Sequence, residues 1–133
     1  MPALTTLTLE TRRREEFLNI TGRIQEFLDQ QGAGTGALLV YCPHTTAGLT
    51  INEGADPDVK RDLLANLARL APEMGDYRHA EGNSDAHIKA SLMGSSVQIP
   101  VCEGRLLLGT WQAIYFCEFD GPRHRQVTVQ LLP

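Results

Sequence analysis

The chain has 133 residues, 42% hydrophobic and 21% charged, the balance of one folded domain over 1–133 rather than of a disordered segment. Its net charge of −4 excludes a general nucleic-acid-binding surface, which needs a basic face to displace counterions. No apolar run reaches the roughly 20 residues of a membrane span. The N-terminus does not read as a signal peptide, and three cysteines without C-x-x-C spacing fit a reducing cytoplasm better than a disulfide framework or cysteine zinc site.

Residues 4–11 alternate Leu7 and Leu9 with threonines and predict a half-buried strand. After the charged run 12–16, FLNI predicts a short second strand. Ile24, Phe27 and Leu28 then recur at helical spacing, with Thr21 as the expected N-cap and Gly32 as the stop. GALLVYC is a continuous apolar run suited to a central strand, and Pro43 interrupts it. AGLTINE resumes alternation, with Leu49 and Ile51 on one face and Thr50 and Asn52 on the other.

The clearest helix signal is DPDVKRDLLANLARLAP, in which Asp56 caps, Pro57 takes the first turn and Val59, Leu63, Leu67 and Leu70 form one stripe before Pro72. Residues 73–83 are polar and aperiodic and predict a long loop of the kind that often carries function. A short helix follows from Ser84, capped by Ser84 or Asn83 and closed at Gly94. SVQIPV is a strand, 103–104 a hairpin turn, and the chain beyond it one long strand whose two apolar faces imply cover on both sides. DGPR turns the chain into a last strand with Val127, Val129 and Leu131 alternating. Paired strands outnumber helices, so the expected fold is α+β: a mixed or antiparallel core of about seven strands with two to three helices.

All four histidines fall at turns or helix starts. Singly, His44, His79 and His87 read first as loop residues or hydrogen-bonded imidazoles; arriving from separate connections, they could gather at one metal site, although no local pair has metal-ligand spacing. Ser84, His87 and Ser91 share a helix face at a helix start, a place where an anion such as phosphate can bind. Arg123 and Arg125 offer bidentate donors for phosphate or carboxylate, or are surface charges. Gln112 is a ligand contact or part of a buried network, and Asn52–Glu53 a helix entry or acid/base chemistry.

The segments PHTTAGLTINE, DYRHAEGNSDAHIKASLMGSS and GRLLLGTWQAIYFCEFDGPRHR resemble the YjbQ family, described as secondary thiamine-phosphate synthase enzymes, and the resemblance runs over nearly the whole chain. It implies an α+β domain that assembles as a homotrimer. The activity it implies joins an aminopyrimidine methyl diphosphate to a thiazole phosphate with release of pyrophosphate, as a secondary activity. The implied metal ligands are His44, His79 and His87, holding zinc or another divalent metal that favours histidine, with magnesium as the partner of a diphosphate substrate. Glu53, Asp85 and Arg123 are the expected catalytic groups. Thr45, Thr46, Ser84, Lys89, Gln112 and Arg125 are the expected phosphate or substrate contacts. The competing expectation is a trimeric, non-catalytic module binding a small phosphorylated or carboxylated ligand.

Overall fold

Alternation along one central strand sorts the molecule into layers. The computed structural model describes residues 3–32 and 34–133. Among them the elements run β1 (Leu4–Glu10), β2 (Glu16–Asn19), α1 (Thr21–Gln31), β3 (Gly36–Tyr41), β4 (Ala47–Glu53), α2 (Pro57–Leu70), α3 (Ser84–Met93), β5 (Ser96–Cys102), β6 (Arg105–Leu106), β7 (Gln112–Glu118) and β8 (His124–Leu132). They form a five-stranded sheet in the order β1-β8-β3-β5-β6 and a three-stranded sheet in the order β2-β7-β4. Every strand pairing among the described residues is antiparallel, which makes the fold α+β as the paired strands imply.

β7 is the middle strand of the smaller sheet and is buried on both faces. Ile114 and Phe116 face the main core, with Leu38, Val40, Leu49, Ile99, Val127 and Val129 from the two sheets and Ile24, Phe27 and Leu28 from α1. Ala113, Tyr115, Cys117 and Phe119 face the second core, under Leu67 of α2 and Ala86 and Ala90 of α3. One strand thus supplies both layers, which is why neither of its faces reads as polar. Close approach of α3 to β4 needs Gly48: a Cβ there would lie 2.7 Å from the Gly94 carbonyl oxygen and 3.0 Å from Met93 Cβ.

Five local expectations change. Thr21 does not cap α1; Ile20 holds that position, and Thr21 Oγ1 accepts from the Ile114 N–H at 2.8 Å, tying α1 to β7. The long strand after the hairpin is broken. β6 stays paired to β5, and the chain crosses at 107–111 into the other sheet before β7 begins. Asp56 does cap α2, accepting from Asp58 N–H at 2.9 Å, but Leu70 at the end of the stripe is 73% exposed. Asn83 stands at the N-cap of α3 and makes no side-chain cap bond; its amide Nδ2 instead donates to Asp120 Oδ2 at 2.8 Å. The strands number eight among the described residues, one more than expected, since the break creates β6.

The inner face of α3 is pinned by charge. Asp85 and Lys89, one turn apart, are both buried. Lys89 Nζ donates to Asp85 Oδ2 at 3.0 Å and to Glu15 Oε2 at 2.6 Å, and Arg14 forks onto both Asp85 oxygens at 3.1 Å. Burial alone would raise the Asp85 carboxyl; the hydrogen bonds from Arg14 and Lys89 outweigh it and hold the group below the usual carboxylate range. Its stabilising contribution is therefore complete above the unfolded value of about 3.9 and is lost as pH falls through the lower folded value. Asp85→Asn is expected to cost about 3 kcal/mol in urea unfolding at pH 7, with a flatter loss of stability below pH 4 than wild type. A neutral change at pH 7 would mean the network carries little of the helix docking.

Candidate functional site

Three connections meet at one end of the sheets: 42–46 between β3 and β4, 119–123 between β7 and β8, and the loop entering α3. Between them lies a cleft of about 450 Å³ whose lining includes His44, Thr45, Thr46, His79, His87, Arg123 and Arg125. A neighbouring hollow of about 500 Å³ shares His44, Thr45 and His87 and runs along α3 to Ser91 and Ser95.

His44 is placed by the proline before it. β3 pairs with β8 only as far as Tyr41 opposite Thr128. Continuing that register would set Pro43 opposite Gln126, and proline has no N–H for the ladder. The chain peels away, and the His44 ring takes the vacant place: Nε2 lies 2.9 Å from the Gln126 nitrogen and 3.1 Å from its carbonyl oxygen. The ring also stands edge-on to Phe116, centroids 6.4 Å apart. Two tautomers fit this geometry. If Nε2 accepts from the Gln126 N–H, Nδ1 carries the proton and donates to an anion. If Nε2 donates to the Gln126 carbonyl, the Nδ1 lone pair is free, the arrangement in which a backbone carbonyl orients a metal-ligating histidine. Burial, then the nearby Arg125 charge, hold His44 below its ordinary value, so it is neutral at pH 7 in either case.

Arg125 sits under the cleft floor, 5% exposed. Its Nε donates to Glu118 Oε1 at 2.8 Å, and Nη2 donates to Glu118 Oε2 and to Thr46 Oγ1, the latter at 2.8 Å. Glu118 also accepts from Thr11 Oγ1 at 2.7 Å and from the Asp120 N–H at 3.0 Å. Burial would raise the Glu118 carboxyl, but these donors, Arg125 foremost, hold it below its usual value. Most of the Arg125 fork is thus committed inside the protein; only Nη1 has no hydrogen-bond partner among the described residues. Arg123 is more exposed and is paired with Asp120, Nη2 to Oδ2 at 3.0 Å. The turn carrying these groups requires Gly121, where a Cβ would lie 2.2 Å from the Arg13 carbonyl oxygen.

His79 and His87 meet edge to face with ring centroids 5.3 Å apart, and Glu81 lies 3.8 Å from His79 Nε2. Two imidazoles bound to one tetrahedral zinc at about 2.1 Å would have centroids roughly 5 Å apart, a spacing that edge-to-face packing of the two rings also gives. Among the described residues no three His, Cys, Asp or Glu groups stand ready to hold a metal together. The three histidines line one cleft without forming a closed three-ligand site.

The other expected residues separate into distinct places. Ser84 lies beside His79 and His87 in an adjoining cavity. Asp85 and Lys89 are locked in the inner network of α3 and line none of these hollows. Glu53 and Gln112 pair across β4 and β7 at the far end of the sheet, six positions along from Ala47 and Glu118, a distance of about 20 Å. There Glu53 accepts from the Ala55 N–H at 2.8 Å as a helix-entry group, and Gln112 accepts from the Gly109 N–H at 2.8 Å.

Two cleft residues stand out only in three dimensions. Asp120 holds both Arg123 and Asn83, and Asn83, 8% exposed, keeps a buried Oδ1 with no partner among the described residues. Because Nδ2 is fixed by the carboxylate, the orphan atom is an acceptor awaiting a donor or cation. The only hint in the sequence is Asn83's position at a helix start, which ordinary capping explains equally well.

Residues 5–133 match the family described as UPF0047 protein YjbQ-like. The chain is 51% identical to UPF0047 protein YugU of Bacillus subtilis over 130 residues, covering 97% of this chain and 98% of the relative. The crystal structure of an uncharacterized conserved protein of Clostridium acetobutylicum superposes with a TM-score of 0.94 at 55% identity, covering 96% of this chain and 99% of that one. Hypothetical protein APE1520 from Aeropyrum pernix superposes with a TM-score of 0.93 at 40% identity, covering 98% of each chain.

Since His44 titrates below its unfolded value of about 6.5, the unfolded chain takes up that proton first as pH falls. Stability from neutral His44 is present above about pH 6.5 and is lost as pH drops through the folded value. Urea melts at pH 7.5 and 5.5 are expected to show a larger loss in wild type than in His44→Gln; equal losses would contradict the placement.

Proposed function

The chain belongs to the UPF0047 YjbQ-like family, and from that membership and the cleft we propose a transferase acting on a phosphorylated small molecule, in the manner of a secondary thiamine-phosphate synthase. The observation that carries the reading is the convergence of His44, His79, His87 and Arg123 on one cleft from three separate connections.

In the reaction the carbon–oxygen bond to the diphosphate breaks with its electron pair leaving on oxygen. The thiazole nitrogen's lone pair forms the new carbon–nitrogen bond, giving a thiazolium. No proton moves at the reacting atoms, so the step asks for positive charge beside the leaving group rather than for a base. That suits a cleft in which Asp120 is engaged by Arg123 and Glu81 lies beside His79, with Glu118 engaged by Arg125 beneath it. It also exposes a shortfall. Arg123 is paired with Asp120 and Arg125 with Glu118, so the arginines add little net charge. A divalent ion held by His79 and His87, with His44 in the same cleft, would supply the missing charge as a Lewis acid. Thr45 and Arg125 line the same cleft and would be its contacts to phosphate oxygens.

Glu53 and Gln112 enter this reading through assembly. A homotrimer that sets one subunit's Glu53–Gln112 end against a neighbour's cleft would reunite them with it. Leu107 and Trp111, 62% and 65% exposed beside that end, support an assembly there. No helix among the described residues is long and apolar enough to cross a membrane. A non-catalytic binding module is the second reading, favoured by the near-balanced charges of the cleft.

Purified protein given the pyrimidine diphosphate, the thiazole phosphate and zinc or magnesium is expected to form thiamine phosphate, detected by chromatography. His87→Ala and Arg123→Ala are each expected to lower the rate at least tenfold, His87→Ala with loss of bound metal by elemental analysis. Product formation unchanged in both variants would remove the cleft from the reaction. Ligand binding without product would support the module.

A further inference from the structure

The polar cleft does not end at its histidines. On the far side of His79 and His87 lies a second cavity of about 420 Å³, whose lining also includes Tyr77, Ser84 and Ile88. We propose that this cavity is a subsite for a flat, apolar or aromatic group, and that the ligand is bipartite: an anionic phosphate in the His44 cleft joined to a ring held between Tyr77 and Ile88. The proposal rests on the reading of the cleft as a phosphate site and assigns a place to the ring that carries the phosphate.

The two hollows share a wall made of the paired imidazoles, so one ligand can pass from one to the other across His79 and His87. Their surfaces are opposite in kind. The cleft is rich in hydrogen-bonding and charged groups, whereas the exposed lining of the second cavity is mostly carbon. A pocket with an apolar body and a few convergent polar groups is how proteins bind small molecules, and both volumes fall in the usual size range.

The Tyr77 ring is a built wall. Its hydroxyl donates to the Pro72 carbonyl at 2.6 Å, and its N–H donates to the Gly75 carbonyl at 3.0 Å. Gly75 leaves the ring its space, since a Cβ there would lie 3.0 Å from two ring carbons. The loop thus fixes the aromatic face before any ligand arrives, and a fixed face costs less to stack against than a mobile one. In the same lining, Ile88 is 41% exposed on α3, next in sequence to His87. An isolated exposed isoleucine needs no explanation, but one beside a held tyrosine in a carbon-lined cavity has a use. Asp76 and Arg78 flank the cavity and offer an acceptor and a donor to ring substituents.

Calorimetric titration of the full chain with methyl phosphate and with phenyl phosphate, in phosphate-free buffer with zinc present, tests this directly. Phenyl phosphate is expected to bind about tenfold or more tightly than methyl phosphate, from the apolar surface the ring buries. In Ile88→Ser, whose position is already partly in water, and in Tyr77→Ser, the advantage is expected to fall at least threefold while methyl phosphate affinity stays unchanged. Equal affinity of the two probes, or an advantage that survives both substitutions, overturns the subsite while leaving the phosphate cleft standing. Binding of neither probe overturns both readings together. If the probes bind equally and Ile88→Ser changes the mass by light scattering, the cavity is a contact between copies of the chain and the proposal is wrong.

Discussion

The Glu118 carboxylate is the constraint around which the candidate site is arranged. It is fully buried at the end of β7, and it gathers Arg125 from β8, Thr11 from beyond β1 and the N–H of Asp120 from the turn. Through Arg125 it also fixes Thr46 at the start of β4. Four chain segments are thereby held at one point. A buried pair of this kind adds little stability over a well-packed apolar replacement, but removing one partner strands a charge. Its effect is geometric. With both ends of the turn tied to Glu118, the cleft mouth keeps its shape, and most of the Arg125 fork is committed inside the protein.

Much of the fold was legible from pattern. Two apolar faces on β7 meant cover from both sides, and the structure places a core on each. The break at 107–111 was not legible, because the residues on either side of it remain strand-like and only sheet membership changes. Leu70 kept the helical period of α2 but extends past the last residue with a core to face.

The site was half legible for similar reasons. Histidine at a turn is a visible signal, and three such turns converge. Asp85 and Lys89 lie in the same helix as His87, yet spacing alone does not say which face of a short helix looks inward. The hydrophobic contrast that would decide it is absent, since α3 buries an aspartate and a lysine beside two alanines. Asn83 and Asp120 were legible only as a cap and a turn. Their bond to each other depends on a contact across 37 residues.

The arrangement at His44 has a consequence for how the protein can be watched. Where β3 leaves the sheet, a side chain stands in for a strand, so the Gln126 amide is guarded by an imidazole and not by a neighbouring backbone. The other β8 amides answer to the opening of the sheet, but this one answers to the ring alone. A proton, an ion or an anion taken up by His44 switches that nitrogen between acceptor and donor. Hydrogen exchange at a single main-chain position therefore becomes a native gauge of cleft occupancy, readable without a label.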